Sequence, residues 1–226
     1  DKNADLSIEK YILNIDYSKA VMRYKDSQIK IKTPLIGKFN LYNLSASILC
    51  ALELGISISE ITKSIENFHN VPGRLEKYNF KDNTVIIDYA HTPDAYLNIF
   101  KNIFELKDKD KKIITVFGCG GNRDKSKRKI MGEIASRFSD NIYITNDNPR
   151  FEDENEIINN ICSGISNTRY EIIKDREKAI ISALKHKNSI ILILGKGIEK
   201  HQIIKNKRLN HSDIKIVKDY INENRN

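Results

Sequence analysis

Cysteine and long apolar runs are both scarce in this 226-residue chain. Cys50, Cys119 and Cys162 are odd in number and lack metal-ligand spacing, which points to reduced thiols in a cytoplasmic protein and to no metal site built on them. No apolar stretch reaches the roughly 18 residues needed to cross a bilayer, so no membrane partner is expected. The opening Asp1-Lys2-Asn3-Ala4-Asp5 has neither the apolar core of a signal peptide nor an initiator Met, and we expect the middle of a longer polypeptide. A Gly-Lys-Ser/Thr phosphate loop is also absent.

What is present suits a folded, soluble chain: 40% hydrophobic and 30% charged residues. The formal net charge is +8, but the lysines are scattered and form no single stripe. We therefore expect no nucleic-acid partner; the excess fits a Lys-, Ile- and Asn-rich composition, with some attraction for anionic ligands.

The first third reads as strands and then helices. Tyr11-Ile12-Leu13-Asn14-Ile15, Ala20-Val21-Met22-Arg23-Tyr24 and Ile29-Lys30-Ile31-Lys32 are strand candidates. Leu44, Ile48, Leu49, Ala51 and Leu52 recur at helical spacing up to Gly55, and Ser59 is expected to cap a second helix with Ile61, Ile65 and Phe68 on one face. Val71-Pro72-Gly73-Arg74 punctuates the chain, and a domain boundary is expected just after it, dividing 1–75 from 76–226.

Beyond the boundary, apolar runs alternate with amphipathic stretches. Ile113-Ile114-Thr115-Val116-Phe117 and Ile190-Ile191-Leu192-Ile193-Leu194 are the clearest buried strands. This predicts an α/β fold, a Rossmann-like and mostly parallel sheet covered on both faces. Ligands should then gather at the carboxyl ends of its strands. Four of those ends carry unusual residues: Asp88-Tyr89-Ala90-His91-Thr92-Pro93-Asp94, Gly118-Cys119-Gly120-Gly121-Asn122-Arg123-Asp124-Lys125, Asp147-Asn148-Pro149-Arg150 and Gly195-Lys196-Gly197-Ile198-Glu199. Alone, each has a plain explanation as a tight turn, a structural histidine or a solvated charge. Together they would bring His91, Arg123, Arg150, Lys196 and several acids to one crevice.

In order and spacing these segments resemble the Mur ligases, and among them the ligases that add diaminopimelate. Gly37-Lys38-Phe39-Asn40-Leu41-Tyr42-Asn43 and Val71-Pro72-Gly73-Arg74 resemble the end of that family's central ATPase domain. The resemblance covers nearly the whole chain. It implies residues 1–75 as the tail of the central domain and 76–226 as the C-terminal, amino-acid-positioning domain. It further implies an ATP-dependent ligase joining meso-diaminopimelate to UDP-MurNAc-L-Ala-D-Glu through an acyl phosphate, acting in the cytoplasm as a monomer. ATP and Mg2+ would be the cofactors, with the magnesium ligands mostly in the part of the central domain that this sequence does not contain and no metal ligand assigned here. By the same resemblance Asn43 contacts adenine, Arg74 the nucleotide phosphates and Asp88 the ribose, and His91 lies beside the nucleotide. His91 and Arg74 carry the catalytic assignments. Arg123, Asp147, Asn148, Arg150, Gly195 and Glu199 form the diaminopimelate pocket, with Arg150 and Glu199 matching the ligand's distal carboxylate and ammonium.

The chain departs from the family at Ile198, Lys200 and His201 around Glu199, and Asn122 replaces a commoner Asp. Two other readings stay open: a non-catalytic module that binds an amino acid or nucleotide, and a relative adding a different amino acid, against which Asp147-Asn148-Pro149-Arg150 argues. The first 75 residues are expected to expose apolar edges and to be the less stable part. Limited proteolysis should therefore cut within 1–75 before it cuts 76–226; the reverse order would contradict that expectation.

Overall fold

The computed structural model describes residues 4–225, and the chain divides into two compact units, Asp1–Asn70 and Val71–Asn226. In the first unit, β1 (Leu6–Leu13), β2 (Ser18–Tyr24) and β3 (Ser27–Thr33) form an antiparallel meander in the order β1-β2-β3. Period-2 alternation explains its single buried face: Ala20 and Met22 on β2 and Ile29 and Ile31 on β3 point inward, while Lys19, Arg23, Lys30 and Lys32 face water. The helices α1 (Lys38–Glu53) and α2 (Ile58–Glu66) cover that face with Leu41, Ile48, Ile61 and Ile65. The first strand lies earlier than 11–15, because the chain turns at Asn14, whose N–H donates to the Tyr17 carbonyl at 2.9 Å. The cap of α2 is also corrected from Ser59 to Ser57, and Phe68 lies past the end of the helix and is exposed. Ser57 accepts the Glu60 N–H through its hydroxyl and donates its own N–H to the Glu60 carboxylate, a reciprocal capping box.

In the second unit the elements run β4 (Glu76–Phe80), β5 (Asn83–Asp88), α3 (Pro93–Leu106), β6 (Lys112–Phe117), α4 (Ser126–Phe138), β7 (Asn141–Ile144), α5 (Glu154–Cys162), β8 (Arg169–Ile172), α6 (Arg176–Leu184), β9 (Ser189–Leu194), β10 (His201–Ile204), β11 (Lys207–Asn210) and α7 (Asp213–Glu223). The six-stranded sheet has the order β4-β5-β9-β6-β7-β8; β4 alone is antiparallel to its neighbour. The mostly parallel α/β sheet is thus present. The antiparallel edge strand β4 and the separate β10–β11 hairpin are additions that the apolar pattern did not reveal.

All six residues of β9 are buried, as a central strand covered on both faces requires. Val85, Ile87, Ile114, Val116, Ile191 and Ile193 pack against Ala179, Ile180, Ala183 and Leu184 of α6 and Val217 and Ile221 of α7. Each Val, Ile or Leu among them contributes about 2 kcal/mol of burial. On α3, Tyr96 sets its ring edge-on to Phe117 at 5.4 Å. Because β9 returns between β5 and β6, the chain reverses its direction of travel across the sheet there, and the crevice at such a reversal is where α/β sheets bind ligands. Among the described residues no helix is long and apolar enough to cross a membrane.

A buried ion pair joins α6 to α7. Arg176 donates to both oxygens of Asp213 at 2.9 and 2.7 Å and to the Leu194 carbonyl at 3.0 Å, and His211 sits 2.7 Å from Asp213. Burial would raise the Asp213 carboxyl, but the Arg176 charge and hydrogen bonds, with His211, hold it well below the usual range. Asp213→Asn would leave the Arg176 charge buried without its anion, which typically costs about 3–5 kcal/mol. Chemical denaturation followed by circular dichroism should show a loss of that order; a change under about 1 kcal/mol would contradict the pairing.

Candidate functional site

Parallel strands place the loops after β5, β6, β7 and β9 on one edge of the sheet, and backbone bonds knit them together. β5 ends on Asp88, which is buried. Its two oxygens accept the N–H groups of Leu75 at 2.8 Å and Ala90 at 2.7 Å, and its carbonyl accepts the Gly195 N–H at 3.0 Å. Burial pushes this carboxyl up, against the pull of those two hydrogen bonds and of Arg74. Asp88 is therefore a brace for three segments. Arg74, exposed, lies over the Tyr89 ring at 5.0 Å, and His91 meets the same ring edge-on at 4.9 Å.

The β6 and β7 loops lie against each other. The Gly121 N–H donates to the Asn148 carbonyl at 2.9 Å, and a Cβ at Gly121 would fall 1.9 Å from the Pro149 oxygen, so no larger residue fits. A fully buried Arg128 from α4 grips Glu152 at 2.6 and 2.8 Å, while Glu152 also accepts the Asn122 N–H at 3.0 Å. The Arg128 hydrogen bonds, with smaller help from Asn122 and Lys125 and against burial, bring the Glu152 carboxyl down to about 2. This clamp fixes the spacing between the loop bearing Arg123 and the loop bearing Arg150.

Arg150 itself has a left-handed backbone, φ 54°. Its N–H donates to the Ile203 carbonyl at 3.0 Å and its carbonyl accepts the Lys205 N–H at 2.6 Å, so the β10–β11 hairpin holds its main chain on both sides. Its Nη1 donates to the Gly121 carbonyl at 2.8 Å. A Cβ on Gly120 would lie 2.9 Å from Arg150 Nη1 and 3.7 Å from Arg123 Cγ, so the two arginines flank one glycine. Neither has a carboxylate within ion-pair distance among the described residues.

In the β9 loop, Gly195 has φ 112°, and a Cβ there would press to 3.0 Å from Asp147 Oδ2. Next to it Lys196 is 0% exposed, with Nζ donating to Asn148 Oδ1 and to Glu199 Oε2, both at 3.0 Å. Asn148 Nδ2 also donates to Glu199 Oε2, at 3.0 Å. Burial would raise the Glu199 carboxyl, yet the bonds from Asn148 and Lys196 leave it lowered. Glu199 thus comes with its own cation. The acid that lines the cleft at 9% exposure with no described residue donating to its carboxylate is Asp147, whose main-chain carbonyl accepts from Gln202 Nε2 at 2.7 Å.

The four loops enclose a cleft of about 210 Å³. It gathers seven of the residues singled out from sequence: His91, Arg123, Asp147, Asn148, Arg150, Gly195 and Glu199. Asp88 braces the loop that carries His91 but does not line the cleft, Arg74 sits beside it on Tyr89, and Asn43 is exposed on α1 in the first unit. Lys127, whose Nζ donates to the His91 carbonyl at 2.8 Å, and Cys119 also line it. Burial pushes the Cys119 thiol up to about 12, so it is no nucleophile at neutral pH. The cleft's chemistry is that of holding a ligand with both charge signs: guanidinium groups for carboxylates and an unpaired acid for an ammonium.

Comparison with known proteins follows the same residues. The family described as "Mur ligase, glutamate ligase domain" matches residues 73–197. A UDP-N-acetylmuramoyl-L-alanyl-D-glutamate–2,6-diaminopimelate ligase of Prochlorococcus marinus subsp. pastoris is 41% identical over 218 residues, covering 91% of this chain and 42% of that protein. The ligase of the same name from Buchnera aphidicola subsp. Acyrthosiphon pisum is 46% identical over 202 residues, covering 86% and 40%. A solved structure of a ligase of that name aligns with a TM-score of 0.72 at 29% identity, covering 100% of this chain and 47% of that one. The chain spans half or less of the length of the curated relatives it matches.

The clamp has a pH signature. Glu152 is lowered from 4.5 to about 2, so its contribution to stability is complete above the unfolded value and fades as pH falls from about 4.5 towards 2. Glu152→Gln should lower stability at neutral pH and flatten the loss between pH 5 and 2. Equal acid sensitivity of the two proteins in thermal melts would contradict the clamp.

Proposed function

This chain belongs to the Mur ligase family, and we propose that it carries the amino-acid-binding part of a ligase that joins meso-diaminopimelate to UDP-MurNAc-L-Ala-D-Glu at the expense of ATP, for peptidoglycan precursor synthesis in the cytoplasm. The observation that carries the reading is the pair Arg123 and Arg150 on either side of Gly120, facing a cleft whose unpaired acid is Asp147. Diaminopimelate has a carboxylate and an ammonium at each end. One guanidinium takes the distal carboxylate in fork geometry, the other takes a second carboxylate, and Asp147 takes an ammonium. Glu199 offers its Oε1 beside them. L-Lysine has no distal carboxylate and would leave Arg150 desolvated and unmatched.

The proposed chemistry runs through an acyl phosphate on the D-Glu carboxylate, which the amine of the incoming amino acid attacks with loss of phosphate. ATP, when bound, supplies the phosphoryl group. This chain's residues hold the amine and its carboxylates so that the nucleophile arrives at attack distance, an entropic contribution. Arg74, exposed and stacked on Tyr89, suits contact with nucleotide phosphates; His91 lies beside it, Asn43 is carried as the adenine contact, and Asp88 acts from behind as the brace of that loop. Among the described residues no group of three or more His, Cys, Asp or Glu could hold a metal ion, so no magnesium ligand is assigned on this chain and no step is routed through one. We propose that the protein acts as a monomer.

Isothermal titration of the chain with meso-diaminopimelate and with L-lysine tests the reading. A charge-assisted pair is worth about 1.5–3 kcal/mol, so meso-diaminopimelate should bind roughly 10- to 100-fold more tightly. Arg150→Met should bring the two ligands level. Equal weak heats with the unaltered chain would count against the assignment.

A further inference from the structure

Lys196 is the cation that the ligand reading leaves unused. Its side chain is wholly buried, and its ammonium spans two loops, meeting Asn148 from the β7 loop and Glu199 from its own. Carrying an ammonium out of water is costly, and here two acceptors meet it. Asn148 Oδ1 receives a second donor, the Ile203 N–H at 2.9 Å. Two donors aimed at one atom of an amide can be met only by its carbonyl oxygen, so Asn148 cannot turn over without placing its –NH2 against them. Its Nδ2 therefore points to Glu199 Oε2, and Lys196 meets that same oxygen. Glu199 Oε1 and the second hydrogen of Asn148 Nδ2 have no partner among the described residues.

We propose that Lys196 is a positioning residue that sets which atoms the cleft offers its ligand: it locks the Asn148 amide with oxygen inward and occupies one Glu199 oxygen, so that an N–H donor and a single carboxylate oxygen face the amino acid. This rests on the diaminopimelate reading for the identity of the ligand, but the lock itself exists without ligand. The N–H donor suits a carboxylate and Oε1 suits an ammonium, so each end of an amino-acid head group finds one fixed partner. Lys196 does not line the cleft and acts through Asn148 and Glu199. The charged groups around Glu199 are Lys196 from its own loop, His201 at the start of β10, Asp147 and Arg150 from the β7 loop, Arg123 from the β6 loop, Lys127 from α4 and the titratable His91 from the β5 loop.

Carbon-13 NMR of the Glu199 carboxyl, in the ligand-free chain and in Lys196→Met, gives a readout that a merely structural role would not move. In the unaltered chain the carboxyl should titrate below 4.5. In Lys196→Met its midpoint should rise, because burial stays and the cation is gone. Affinity for meso-diaminopimelate should fall about tenfold at neutral pH, as loss of one charge-assisted bond implies, and fall further on acidification. An unchanged Glu199 midpoint in a folded Lys196→Met overturns the proposal. Should that variant not fold, the unaltered chain decides: a midpoint at or above 4.5 overturns the lock and one below supports it. If the midpoint moves but neither protein binds meso-diaminopimelate, the lock stands and the ligand reading fails.

Discussion

Three cations lie out of water at the carboxyl edge of the sheet, and the cleft depends on how each is neutralised. Arg128 is held by Glu152, Arg176 by Asp213 and Lys196 by Glu199 with Asn148. Desolvating an ion pair costs about as much as its attraction returns, so such pairs add little net stability. What they supply is a penalty for any arrangement that separates the partners. Arg128 and Glu152 keep the β6 and β7 loops in register, Lys196 ties the β7 loop to the β9 loop, and Arg176 secures the end of β9 through the Leu194 carbonyl. Loops are ordinarily the mobile part of an α/β fold; here each is cross-braced before a ligand arrives, which lowers the entropy lost on binding.

Much of the architecture was legible because central parallel strands leave a distinctive trace. The run Ile190-Ile191-Leu192-Ile193-Leu194 has no polar interruption, and a strand buried on both faces needs none. Edge elements leave no such trace. The strand β4, Glu76–Phe80, pairs on one side only and mixes charge with aromatics. All four residues of β11 are exposed, and the hairpin turn sets Lys205 at φ 52°, where Gly or Asn would have been the usual signal. The capping residue of α2 was readable, since Ser57-Ile58-Ser59-Glu60 holds the capping-box spacing; the nearer serine was simply the wrong one.

The site was legible as a set of strand ends and not as a set of pairings. Sequence brought Arg123, Arg150, Asp147 and Glu199 to one crevice because parallel strands must end on one side. It could not tell that Glu199 would be half-occupied by Lys196, since that depends on how two loops fold over each other. The buried arginines did leave a signal. Arg128 is in helical register with Met131, Gly132 and Ala135, and Arg176 with Ala179, Ile180, Ala183 and Leu184. Asp213 stands likewise in line with Val217 and Ile221. A charge on an apolar stripe implies a partner of opposite charge underneath.

The β10–β11 hairpin contributes no side chain to the cleft wall, yet it holds both main-chain groups of Arg150. The guanidinium is therefore aimed from outside, like a lamp on an adjustable arm. Lengthening or re-registering that ribbon would swing Arg150 while every cleft-lining residue stayed the same. Over evolutionary time, selectivity in such a fold can drift through a solvent-facing ribbon, where mutations are tolerated, and sequence comparison confined to the pocket would miss the change.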